Sequence, residues 1–263
     1  MTKRFLLRYD TEAGASRGAK MHDFFRKVVA VHRAHAIPAT FFCMGGAIEA
    51  REDDFRDFFS EVVDDPLFDV QDHSYSHIGL VYRDGKPIDV LRGDYEKSFA
   101  VHERVFGRRP LGTSLCGTMG SDGPSLDGFD ATQKSRAELD MLVDLGIRFT
   151  TSSLCGVDGT KTFVNYARLG HPDVMGFPSG HGDTSWMKRR QFGDPMDYIL
   201  SRIDERAERD EHMPVTLHDW VAWLFAPDRE LTHVVRIAER ARERGYDMTT
   251  HLACYHDTSL WQD

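Results

Sequence analysis

The stretch Leu67-Phe68-Asp69-Val70-Gln71-Asp72-His73-Ser74-Tyr75-Ser76-His77 decides how this chain is read. Its first half is a short run of strand length rich in apolar residues, and its second half is polar with two histidines four residues apart. A strand that ends on such a pair delivers both imidazoles to one rim of a sheet. Continued as a helical turn, positions i and i+4 share a face, so both rings can reach one metal ion.

Outward from this stretch, short apolar runs alternate with segments of helical period. Residues 5–9, 39–43, 67–71, 111–115, 147–151, 174–177, 214–218 and 246–250 read as strands. Residues 19–35, 48–63, 88–106, 131–145, 196–211 and 231–244 read as helices, several stopped by Gly or Pro. Roughly seven strand-then-helix units predict an α/β fold with a parallel sheet, and the residue count favours closure into a distorted (β/α)7-8 barrel. One domain over 1–263 is expected.

Five polar residues then fall at or just past the ends of these strands: Asp10, Glu12, His73, His77 and His218. In α/β barrels that rim carries the active site, because the loops converge there. Asp10 and Glu12, two apart, face the same side of a regular strand. A carboxylate beside two histidines makes a His₂–carboxylate set, which leaves a position open for water and suits zinc, with cobalt, nickel or iron as alternatives. A second carboxylate nearby can accept a proton from that water.

Composition narrows the function further. A formal charge of −9 over 263 residues argues against a general nucleic-acid binder, which needs clustered Lys and Arg. No apolar run approaches a membrane span, and the charged start followed by residues 5–9 reads as a first strand, not a signal peptide. The four cysteines, Cys43, Cys116, Cys155 and Cys254, are scattered without short spacing, so reduced buried thiols and a cytoplasmic location are expected. Trp186, Trp220 and Trp223 are candidates to line an acyl pocket or stack on a sugar ring, and equally candidates for the core. Asp183 beside Trp186 is a candidate substrate contact, His181 a further site residue, and Lys188-Arg189-Arg190 a candidate phosphate grip.

In order along the chain, Arg8-Tyr9-Asp10-Thr11-Glu12, Ile37-Pro38-Ala39-Thr40-Phe41-Phe42 with Gly45, His73-Ser74-Tyr75-Ser76-His77, Arg108-Arg109-Pro110-Leu111-Gly112 and Leu217-His218-Asp219 resemble the motifs of the polysaccharide deacetylase superfamily (NodB homology, carbohydrate esterase family 4). The resemblance covers about residues 5–250 and implies a distorted barrel and hydrolysis of an N-acyl or O-acyl group by metal-activated water. The family's first motif has two adjacent aspartates, base then ligand; here Thr11 stands in the second place. The base is therefore carried over to Asp10 and the ligand role to Glu12, with the exchange of these two roles left open. The resemblance assigns Arg108 to hold Asp10 ionised, with Arg109 as its rival, and His218 as general acid to the leaving amine. The carboxylate that keeps His218 protonated is one of Asp219, Asp183 or Asp10. The expected substrate is an N-acetylated or N-formylated amino sugar or small sugar-like metabolite. Two other readings stand beside it: hydrolysis of a non-sugar C–N bond in a cyclic ureide or imide, and a non-catalytic carbohydrate- or metabolite-binding barrel.

Overall fold

The computed structural model describes residues 2–12, 18–79, 86–116, 119–120, 123–124, 133–151, 163–178, 180–183, 194–221 and 230–261. The strands are β1 (Arg4–Thr11), β2 (Ala39–Cys43), β3 (Phe68–Asp72), β4 (Gly112–Thr113), β5 (Met119–Gly120), β6 (Gly123–Pro124), β7 (Phe149–Thr150), β8 (Val164–Tyr166), β9 (His171–Gly176), β10 (His181–Gly182), β11 (Met213–His218) and β12 (Asp247–Thr249). The helices are α1 (Gly18–Ala34), α2 (Gly45–Ala50), α3 (Glu52–Val62), α4 (Ile88–Phe106), α5 (Gln133–Asp144), α6 (Pro195–Glu208), α7 (Thr232–Glu243) and α8 (His251–His256).

Ten strands form one sheet in the order β10-β11-β1-β2-β3-β4-β7-β9-β8, with β12 laid against the first half of β1. Within this sheet every pairing is parallel except that of β8 with β9, and β5 and β6 form a separate antiparallel pair. The expected distorted barrel is thus a curled half-barrel, and among the described residues no ladder joins β10 to β8. Both faces are covered, as a parallel sheet requires. Outward-facing Phe5, Leu7, Tyr9, Phe41, Val70 and Val215 pack on the helices. Inward-facing Leu6, Phe42, Phe149, Met175 and Phe177 meet Cys254 and Leu260 from the C-terminal end of the chain. Helix α8 plugs this interior, with the His251 ring edge-on to Phe42 and tilted over Phe177.

The register sets which side chains share the interior. Asp10 lies opposite Phe42 on one side and His218 on the other, and Phe42 lies opposite Gln71. With side chains alternating along each strand, Leu6, Arg8 and Asp10 all point inward, as do Gln71 and His218. The interior is therefore layered, apolar at the α8 end and polar toward the strand C-termini. Among the described residues no helix is long and apolar enough to cross a membrane.

Candidate metal centre

The His73–His77 segment is not a helical turn. Ser74 and His77 have φ of 56° and 59°, so the chain leaves β3 in a loop of left-handed bends. Several hydrogen bonds hold it. Asp72, fully buried, accepts the Ser74 N–H (2.8 Å), the Thr113 hydroxyl (2.8 Å) and the Ser98 hydroxyl (2.5 Å). Asp94 of α4 accepts the Tyr75 N–H (2.8 Å) and the Ser76 hydroxyl. The N–H groups of Gly45 and Gly46, opening α2, donate to the Ser74 and Tyr75 carbonyls (2.8 and 2.9 Å). A Cβ at Gly46 would lie 2.8 Å from that Tyr75 oxygen, so the close approach needs glycine.

This scaffold aims both imidazoles at Glu12, the residue after β1. Glu12 Oε1 lies 3.2 Å from His73 Nε2 and 3.0 Å from His77 Nε2. Donors on a tetrahedral ion with bonds of about 2.0–2.1 Å stand roughly 3.3 Å apart, so this trio has the spacing of one coordination sphere. The His73 Nδ1–H donates to the Ser114 carbonyl (2.9 Å), which leaves Nε2 with the lone pair a metal needs. The second Glu12 oxygen, Oε2, accepts the Trp220 indole N–H (2.8 Å). Asp219 accepts the backbone N–H groups of Glu12 and Trp220, locking the two segments together (3.1 and 2.8 Å). Trp220 therefore orients a carboxylate, a role the aromatic-pocket expectation missed.

Cys116 also reaches this cluster. Its Sγ, His73 and His77 offer donor atoms that all lie within 4.8 Å of one another. Yet Sγ is 3.7 Å from both ring nitrogens of His73, and a position equidistant from the two lies off the Nε2 lone pair. Glu12 is the better third donor on geometry, and Cys116 is a wall of the site.

Asp10 sits one pleat below. Its Oδ1 accepts the Ser114 hydroxyl (2.9 Å) and lies 3.5 Å from Arg8 Nε. Burial alone would raise its pKa, but Arg8, His73 and His218 together hold it below the ordinary carboxylate value. The expected partner, Arg108, is elsewhere. It follows the left-handed Gly107 that closes α4, is exposed, and stacks on Phe59 (4.9 Å to the ring centroid). Arg109 likewise packs on Phe99. Arg8, two residues before Asp10 on the same strand face, stands where that arginine was expected. The period of two could have found it.

His218 completes the rim. Asp183 Oδ1 is 2.6 Å from its Nδ1, and Oδ2 accepts its backbone N–H (2.7 Å), so Asp183 is the carboxylate partner among the three candidates. Burial disfavours the imidazolium, but Asp183, helped by Asp10 and Glu12, pushes the pKa up to about 9. The Nε2 faces Glu12 Oε1 at 3.7 Å. Glu12 itself is held well below its usual value: burial would raise it, and hydrogen bonds from His73 and His77 win. Trp186, Trp223, Cys155 and Lys188-Arg189-Arg190 lie outside the described residues. His181 stands in β10 near the Tyr198 ring.

Residues 3–115 match the family model described as polysaccharide deacetylase. No curated protein sequence matches the chain. Among solved structures, the chain is similar to Puue allantoinase (16% identity, TM-score 0.65, covering 97% of this chain and 89% of that one). A polysaccharide deacetylase from Bacillus cereus is similar at 16% identity and TM-score 0.53, covering 98% and 94%. A CE4 family pseudoenzyme from Bacillus anthracis is similar at 14% identity and TM-score 0.56, covering 99% of this chain and 66% of its own length. These likenesses share one fold.

Proposed function

We propose that this chain is a divergent member of the polysaccharide deacetylase superfamily, in keeping with the match over residues 3–115, and a metal-dependent hydrolase of amide bonds, which removes an acetyl or formyl group from the nitrogen of an amino sugar or small sugar-like metabolite. The observation that carries the reading is the placement of Glu12 Oε1 within 3.2 Å of two imidazole Nε2 atoms. That donor set suits a divalent cation, zinc first, held by Glu12, His73 and His77, which would supply Lewis acidity and a lowered pKa for water. We read the chain as a single catalytic domain that works in the cytoplasm, in keeping with three buried free thiols, Cys43, Cys116 and Cys254.

The chain's own residues supply the proton handling. Asp10, ionised at neutral pH, takes the proton of the attacking water, and Ser114 fixes the orientation of its carboxylate. His218, kept protonated by Asp183, donates to the departing nitrogen, which would otherwise leave as a poor anion. Two groups with pKa values pushed apart in one cleft divide the work into base and acid. A second reading, cleavage of a cyclic ureide or imide, draws support from the buried guanidinium of Arg8 beside Asp10, since such substrates are polar on every side. A binding barrel without chemistry would need no such pairing of Asp183 with His218.

Elemental analysis tests the reading. Wild-type chain reconstituted with zinc should hold about one ion, and His73→Ala and His77→Ala should lose it. Asp10→Asn should keep the ion while losing on the order of 10²–10⁴ in turnover of N-acetyl or N-formyl substrates. Full retention of zinc in both histidine variants would sink the ligand assignment, and loss of zinc in Asp10→Asn would exchange the roles of Asp10 and Glu12.

A further inference from the structure

We propose that Arg8 is the floor of the site and receives a carboxylate of the substrate, so that the metabolite hydrolysed is a small acidic compound and not a neutral sugar polymer. This rests on the reading of the site as a hydrolytic metal centre.

Arg8 points into the half-barrel and is only 6% exposed. On one side its guanidinium abuts the Phe42 ring, 5.8 Å from Cζ to centroid. Phe42 belongs to the apolar plug with Leu6, Phe149 and Phe177, each at most 1% exposed, which closes that end. On the other side lie Asp10 and the rim. The side of Arg8 that this plug leaves open faces Asp10.

A guanidinium carries five N–H donors in a rigid fork. Among the described residues, Arg8 spends none of them in a hydrogen bond, and its buried Nε has no acceptor. The neighbouring Asp10 Oδ1 is 3.5 Å from Nε, a loose ion pair, and that oxygen is already taken by the Ser114 hydroxyl. Had Arg8 served only as the counter-ion of Asp10, a direct fork between adjacent inward residues was available and would have repaid its burial better. The unspent donors instead fit a planar anion that accepts two parallel N–H bonds. A single planar fork over an aromatic floor matches a planar carboxylate better than a tetrahedral phosphate.

Calorimetry on the zinc-loaded full chain tests this with two metal-seeking hydroxamates of equal length, one ending in a carboxylate and one in a neutral carboxamide. The wild type should bind the carboxylate probe about tenfold more tightly, the scale of one charge-assisted fork. Arg8→Gln and Arg8→Met should erase that preference, read in each variant as the ratio of the two probes' affinities, with zinc content and thermal unfolding recorded for each. Equal affinities in the wild type would overturn the proposal, as would a preference that survives in either folded variant. A chain that takes up no zinc would overturn the proposed function itself, and metal content separates the two failures.

Discussion

At the scale of single residues, the pairing of Asp183 with His218 governs the pH dependence. A general acid must be protonated to work, and Asp183 keeps His218 so up to about pH 9. Asp183→Asn removes the negative partner but keeps an acceptor of similar shape. The alkaline limb of kcat/KM should then move to lower pH by about 1–3 units, with little change on the acidic limb set by Asp10. An unmoved alkaline limb would show that His218 is not the acid. The histidine pair, Glu12 and His218 were legible in the sequence because each ends a strand. Asp183 was visible only as a candidate, and Arg8 only through its spacing of two from Asp10. A bond from His218 to Asp183 spans 35 residues and no local spacing encodes it. Arg8 was hidden by a more familiar motif arginine at Arg108, which the αL bend at Gly107 carries out to the helix layer.

At the scale of elements, the loop after β3 shows how little helical propensity decides here. The i, i+4 spacing suggested a helical turn, yet Asp72, Asp94 and the α2 N-terminus capture the backbone groups a helix would have used. Asp72→Ala would orphan the Ser74 N–H and two hydroxyls in a fully buried place. We expect a loss of about 3 kcal/mol in denaturant unfolding and zinc affinity weakened by about 10–100-fold. Native stability together with native zinc affinity would refute the loop's dependence on Asp72. Longer elements carry their own signal: β2 and α4 coincide with their expected bounds. The two-residue β10 and the antiparallel β8 went unread, because segments that short carry no periodicity and exist only through their neighbours. Residues 48–63, read as one helix, are two, broken at Arg51 (φ −143°).

At the scale of the whole molecule, buried ionisable groups predict a stability optimum for the metal-free protein. His218 is raised to about 9, so its contribution is complete below the unfolded value near 6.5 and is lost as pH climbs through about 9, and the raised His73 acts in the same direction. His32 and His212 are lowered to about 4 by burial, and His251 is lowered as well, so they lose stability as pH falls from about 6.5 toward 4. Asp69, raised to about 6 by burial, opposes them in that window but is outnumbered. Melting temperature should therefore peak near pH 6.5, and His32→Gln should soften the acidic slope. A Tm flat between pH 9 and 6.5 would contradict the protonated state of His218. Half-barrel curvature itself was not legible, since alternation of apolar runs specifies a parallel sheet and leaves its closure to long-range packing.

The sharing of one edge of β1 between β2 and β12, with β11 on its other edge, has a consequence for biosynthesis. Glu12 and Trp220, which meet in the site, are 208 residues apart. At roughly 5–20 residues per second, the edge of the first strand that β11 covers waits about 10–40 seconds on the ribosome for its partner. During that interval its unpaired backbone N–H and C=O groups are open to other chains, so a nascent-chain chaperone is a natural companion of this protein, and slowing elongation should raise the share lost to aggregation.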